Sequence, residues 1–177
     1  STDKGTWSYS IGARLQWAAL SNEVRFSPRA RAFYQPLDGD RTYTFAIGRY
    51  DQFPFYREMR QKDGVLNTSV QSQAAWHFTA RSDKDFEMWN RPFVWSLEGY
   101  YKDLDRVNLF DVENVRIRYA ATNEAVARVY GFDSRINGEF VQGTDSWFTF
   151  SLFRAQERPF GDDQWYARPT DTRYNFA

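Results

Sequence analysis

The 177-residue chain sets 23 basic against 23 acidic side chains and holds one His, no Cys and 34 aromatics (7 Trp, 11 Tyr, 16 Phe). The missing Cys excludes disulfide frameworks and thiolate metal sites, lone His77 leaves no His cluster and no partner set for a Ser–His–Asp relay, and zero net charge gives no footprint for nucleic acid. Aromatics make up 19% of the chain, yet mean hydropathy is −0.72, as happens when apolar and polar residues alternate one by one along strands.

Trp7 to Trp17 places Trp7, Tyr9, Ile11, Ala13, Leu15 and Trp17 on one face of a strand, with Ser8, Ser10, Gly12, Arg14 and Gln16 on the other. After the link Ser21-Asn22-Glu23, a second strand sets Val24, Phe26, Pro28, Ala30, Ala32 and Tyr34 against Arg25, Ser27, Arg29 and Arg31. Pro28 has no ladder N–H and predicts a bulge or locally weak pairing. The tight-turn segment 36–40 contains Asp38-Gly39 and leads to a third strand, Arg41 to Tyr50, closing a hairpin.

The next connection, 51–69, mixes aromatics with charge and reads as an ordered functional loop. A fourth strand carries Ala74, Trp76, Phe78 and Ala80 opposite Ala75, His77, Thr79 and Arg81, and a turn is expected over Ser82 to Pro92. The fifth alternates Phe93, Trp95, Leu97, Gly99 and Tyr101 with Val94, Ser96, Glu98, Tyr100 and Lys102. Val107 to Tyr119 is expected to project beyond the sheet as a strand or loop. The sixth strand, 125–141, has Tyr130, Phe132, Ile136 and Phe140 against Asp133, Arg135, Asn137 and Glu139. A turn over 142–146 opens the seventh, with Phe148, Phe150 and Leu152 on one face; a polar loop, 157–169, then precedes an eighth strand starting near Asp171.

Connections alternate short (36–41, 82–92, 142–146) and long (53–70, 106–123, 157–170), apart from the brief 18–23 link. That asymmetry matches an outer-membrane barrel. Aromatics gather where strands meet turns (Trp7, Tyr34, Trp89, Phe93, Phe140, Trp147), as in a girdle at the lipid headgroups. Periodicity alone serves a soluble antiparallel sandwich equally well. The polar faces tilt the balance: Arg14, Arg25, Arg29, Arg31, Arg81, Glu98, Asp133, Arg135 and Glu139 suit a hydrated lumen and are expected to face it. No run approaches the roughly 20 apolar residues of a spanning helix. Ser1 to Gly5 has no apolar leader segment, so a secretory signal is expected to have been removed or never to have belonged to this chain.

Gly-rich phosphate loops are absent from the sequence, carboxylates such as Asp133 and Glu139 read as charges bridged to Arg, and neither a catalytic residue, a metal site nor a cofactor is expected. The best ligand-contact loop is Phe53, Phe55, Tyr56, Arg57 and Glu58, where aromatics stand beside an Arg and a Glu and suit stacking plus hydrogen bonding to a polar solute.

Several segments occur in a telling order: Ser27-Pro28-Arg29-Ala30, Phe53-Pro54-Phe55-Tyr56-Arg57-Glu58-Met59-Arg60, Met88-Trp89-Asn90-Arg91-Pro92-Phe93 and Tyr100-Tyr101-Lys102-Asp103-Leu104. Glu113 to Tyr119, Tyr130 to Asp133, Arg135 to Val141 and Arg168 to Phe176 follow. Together they resemble the C-terminal half of the barrel of TonB-dependent receptors, the large outer-membrane transporters of Gram-negative bacteria, particularly those with a carboxypeptidase-regulatory-like N-terminal domain. The resemblance implies an all-β, antiparallel up-and-down transmembrane β-barrel of about 22 strands, of which this chain supplies seven to eight. It also implies that residues 1–177 are one partial barrel domain, that the plug which engages the TonB complex lies elsewhere, and that the setting is the cell outer membrane. Outer-membrane lipid and a surface lipoprotein are the partners it brings with it, and import of a scarce solute is the function. Two alternatives stand beside it: a soluble all-β carbohydrate-binding module, and a complete eight-stranded barrel in which Thr172 to Ala177 pairs with Trp7 to Trp17.

Overall fold

The computed structural model describes residues 5–37 and 39–177, so Asp38 of the predicted Asp-Gly turn lies outside the described residues. Seven long antiparallel strands, β1 (Thr6–Ala18), β2 (Glu23–Gln35), β3 (Arg41–Gln52), β4 (Gln73–Met88), β5 (Arg91–Val107), β8 (Ala125–Val141) and β9 (Thr144–Pro159), lie side by side in one up-and-down sheet. Between β5 and β8 the chain leaves the sheet as a hairpin, β6 (Phe110–Glu113) and β7 (Arg116–Tyr119). Two short strands, β10 (Tyr166–Ala167) and β11 (Tyr174–Phe176), both pair with β9.

The eighth strand therefore adds to the neighbour that precedes it, and among the described residues the sheet stays open between β1 and β9. Three residues of β11 beside a 13-residue β1 are too few to join the two edges, so closure into an eight-stranded barrel is not seen.

Two expectations change. Ser82 to Pro92 is not a broad turn: β4 and β5 stay paired to Met88 and Arg91, and only Trp89-Asn90 turns, both at positive φ (55° and 57°) as a two-residue hairpin of right-handed twist demands. The protrusion at 107–119 is a β-hairpin turned by Asn114-Val115, with φ of 49° and 65°. Pro28 acts as expected but on one side only. β1 pairs with β2 without interruption, Ala13 opposite Pro28, whereas the β2–β3 ladder stops at Arg29 and Gly48, next to the missing N–H.

Register carries each alternation across the sheet, so most of the large apolar side chains of the seven long strands share one face. Ile11, Ala30, Ile47, Phe78, Tyr101 and Tyr130 form one row, and Phe45, Ala80, Gly99, Phe132 and Leu152 lie in the next. Among the described residues no second layer covers this face: Ile11 is 86% exposed, Tyr9 70% and Phe148 62%. Its aromatics stand at both ends of the strands and, as Phe45, Phe78 and Phe132, in mid-strand as well. At the short-turn end, Trp7 packs on Tyr34 (ring centroids 4.7 Å apart) and Phe140 packs on both Phe93 (5.0 Å) and Phe148 (4.9 Å). Gly138 makes room for this second cluster, since a Cβ there would run into the Phe93 ring. Toward the long-loop end stand Trp17 and Trp76, with Tyr101 and Tyr130 in the row of Ile11 and Ile47. Trp7 and Trp17, Trp76 and Phe86, and Tyr130 and Phe140 are each ten residues apart (7 to 17, 76 to 86, 130 to 140) on this face. Trp147 departs from the expected girdle: it stands opposite Asn137 on the charged face, with the Arg135 guanidinium 5.5 Å from its ring.

Buried apolar side chains are few and sit mainly at the long-loop end. Met59, Val70 and Ala121 form one cluster; Val107, Ala125 and Ala127 form another.

Candidate functional site

Strand register puts eight of the nine charged residues expected to line one face on a single face, and Glu139 falls in the irregularity between Gly138 and Val141. Arg81 stands opposite Thr44 and Glu98, Glu98 opposite Asp133, Arg29 opposite Gly12 and Gly48, and Arg14 opposite Ser27. Opposite signs meet there. Arg81 donates from Nη2 to Asp83 Oδ1 at 2.7 Å and from Nε to Asp83 Oδ2 at 2.9 Å, its Nη1 lies 3.8 Å from Glu98 Oε2, and Ser96 Oγ donates to Asp83 Oδ1 at 2.6 Å. Arg25 pairs with Glu23, Arg135 donates to Asn137 Oδ1 at 2.7 Å, and Glu139 accepts from the Gly143 N–H at 3.3 Å. Arg29 and Arg31 lie over the Tyr50 and Phe33 rings, at 4.4 and 5.5 Å. His77 is on this face as expected, its ring stacked on Tyr50 with centroids 4.3 Å apart. Exposed pairs of this kind add little stability; what they make is a polar face on which opposite charges meet.

At the long-loop end, in register with Ala74 and one step beyond Arg49 and Trp76, the sheet holds a buried carboxylate that the sequence pattern did not single out. The Asp51 side chain is fully buried. It accepts from Ser27 Oγ (3.1 Å) and Arg49 Nε (3.2 Å), and Arg106 Nη2 lies 3.6 Å from its other oxygen. The Ser27 bond forms where the β2–β3 ladder has ended beside Pro28, so a side chain takes over from the backbone. Arg106 reaches the cluster from a bulge between Leu104 and Val107, at φ 56°, and donates from Nε to the Ser72 carbonyl at 2.8 Å. Burial, then repulsion from Arg25, pulls its guanidinium below the usual value. Arg49-x-Asp51 on one strand face was a visible signal; the approach of Arg106 was not.

Above the strands, the 53–72 and 108–124 loops are tied together by three Asn. Asn108 Nδ2 donates to the Glu58 carbonyl at 2.8 Å, Asn67 Nδ2 to the Ala121 carbonyl at 2.9 Å, and Asn123 Nδ2 to the Arg106 and Gln71 carbonyls at 2.8 and 3.0 Å. Asn123 Oδ1 in turn accepts from the Gln71 N–H. Asn108 is buried and Asn67 and Asn123 are half-buried, and side-chain amides paired in this way hold an irregular loop in one shape.

The five residues of the expected ligand loop separate in this arrangement. Glu58 is buried and accepts from the Phe55 N–H at 2.9 Å, closing a 3₁₀ turn over Tyr56–Met59, so its carboxylate is held within the fold. Phe53 is half-buried, while Phe55 and Tyr56 are exposed at 66% and 63%. Arg57 alone enters a cleft of about 390 Å³ between this loop and the β6–β7 hairpin. Arg60, Lys62, Arg116 and Arg118 complete its basic lining, with Asp63 as the one acid. Arg57 Nη2 donates to the Ile117 carbonyl at 3.1 Å, joining the two walls; Arg60 Nε reaches the Gly64 carbonyl at 3.3 Å; Arg118 pairs with Glu113 at 2.8 Å and Lys62 with Asp111 at 3.6 Å. Arg116 has no ion-pair partner among the described residues.

No group of three or more His, Asp or Glu is placed to hold a metal ion among the described residues, and no helix is long and apolar enough to cross a membrane. No known protein family, curated protein or solved structure matches the chain.

Proposed function

We propose that the chain is a portion of the wall and outer loops of an outer-membrane TonB-dependent receptor, which imports a scarce solute through a barrel completed by further strands and closed by a plug. The observation that carries this reading is the uncovered apolar face with aromatics at both rims. Ten residues span roughly 33 Å along a strand, and a tilt of about 40° turns that into about 25 Å of height, the thickness of the apolar band in outer-membrane barrels. Mid-strand positions on this face are Ile11, Phe45, Ile47, Ala80 and Phe132, and Trp95 near the short-turn rim satisfies its indole N–H on Ser134 Oγ at 3.0 Å. Its charged residues, such as Lys84, Asp103 and Arg128, stand toward strand ends. A carbohydrate-binding sandwich would need a second sheet over these side chains.

Trp fluorescence tests the reading. In lipid vesicles, a variant retaining only Trp17 should be quenched by brominated acyl chains and one retaining only Trp147 should not. Equal quenching of the two, or a monomeric protein in detergent-free buffer, would sink it.

A further inference from the structure

We infer that the cleft between the 3₁₀ turn and the β6–β7 hairpin is a binding site for a small solute carrying two or more oxyanion groups, carboxylates or phosphates. The chain as a whole is neutral, yet five cationic side chains converge on this one cleft against a single lining acid. Such local excess focuses the field on a concave surface. Guanidinium groups suit the task because each presents several donors in a planar fork that matches a carboxylate or phosphate edge.

The arrangement is built. Arg57 spends one donor on the Ile117 carbonyl, and Arg60 spends one on the Gly64 carbonyl; both heads are thereby held in place with other N–H groups still free. Arg118 is steered by Glu113 on the opposite strand of its hairpin, and Lys62 by Asp111. Arg116 stands opposite Glu113 in the hairpin register, but that carboxylate is bonded to Arg118, so among the described residues Arg116 is the positive charge left for a ligand to neutralise. Ile117 and Tyr119 add a short apolar wall, and a volume of about 390 Å³ suits a molecule of metabolite size. Because the cleft's two walls come from loops at the same end of the sheet, it forms without any residue of the strands' charged face.

The inference rests on the transport reading only for the side of the membrane that the cleft faces; binding in micelles and quenching by lipid fail independently. The intact protein in detergent micelles is titrated by calorimetry with citrate and with inorganic pyrophosphate, sucrose serving as the uncharged control, at 20 and 200 mM NaCl. Saturable one-to-one binding of either anion is expected, with affinity falling at least tenfold in Arg116→Ala, by less in Arg116→Lys, and further in both at the higher salt. Absence of saturable heat from both anions at 20 mM NaCl would overturn the inference, as would unchanged affinity in both Arg116→Ala and Arg60→Ala.

Discussion

Val115 is almost fully exposed at 98% and holds φ 65°, a left-handed conformation that a β-branched side chain enters only at a cost. Its partner in the turn, Asn114, is well suited to that region; Val115 is not. Val115→Gly is therefore expected to stabilise the β6–β7 hairpin by about 1 kcal/mol, read as slower amide hydrogen exchange over residues 110–119. Glu157 offers a second local test. Burial pushes its carboxyl above the usual value, Arg168 at 3.1 Å pulls it part of the way back, and Asp111 adds to the upward push. A carboxyl whose folded value is raised binds its proton more tightly in the folded state, so its contribution is complete below the ordinary value near 4.5 and is lost as pH rises through the raised one. Exchange protection at Tyr166 and Ala167, which pair with Glu157 and Gln156, should therefore weaken from pH 4.5 upward, and Glu157→Gln should flatten that dependence.

Elements depend on side chains that the linear pattern hides. The loop cap hangs on Asn123, which joins Gln71 to Arg106 through both atoms of its amide. Asn123→Ala leaves these backbone groups to find water, at about 1–3 kcal/mol for the loop, and should show as faster proteolysis within 61–72 while the strands stay intact. Alternation made the strands legible: Trp7 to Trp17 and Asp133 to Asn137 could be assigned to opposite faces because the side-chain period in a strand is two. The same logic places Trp147 with the charged residues, since Phe148 next to it is apolar-facing; proximity to a turn misled. Ser82 to Pro92 looked like a turn because Asp83, Lys84 and Asp85 resemble loop composition. Asp83 is in fact held on the sheet by Arg81 and Ser96. The cleft was illegible for another reason: Arg57 and the hairpin that it holds are 60 residues apart, and no local pattern reports a contact of that range.

For the molecule as a whole, the two faces of the sheet should differ in what they tolerate. Phe78 points to the apolar face and Thr79, its neighbour on β4, to the charged one. In the barrel that we propose, Phe78→Arg places a guanidinium against lipid and is expected to destabilise the refolded protein by about 2–4 kcal/mol, whereas Thr79→Arg should change it little. Reversible urea unfolding in lipid vesicles distinguishes the pair, and equal losses would argue that neither face meets lipid.

Each long strand bonds to the long strands next to it in the chain, with the β6–β7 excursion between β5 and β8, and β9 also takes β10 and β11 on its outer edge. Growth of the sheet thus asks for a series of small loop closures, each contributing only its own short-range entropy, and no distant segments need meet before pairing begins. Four of the six connections between the long strands (19–22, 36–40, 89–90 and 142–143) are short and fix the register of the strands they join. The sheet is in consequence suited to zip up one hairpin at a time, its rate governed by the two longer loops at 53–72 and 108–124, where a neighbouring strand must wait for the Asn-tied cap to condense.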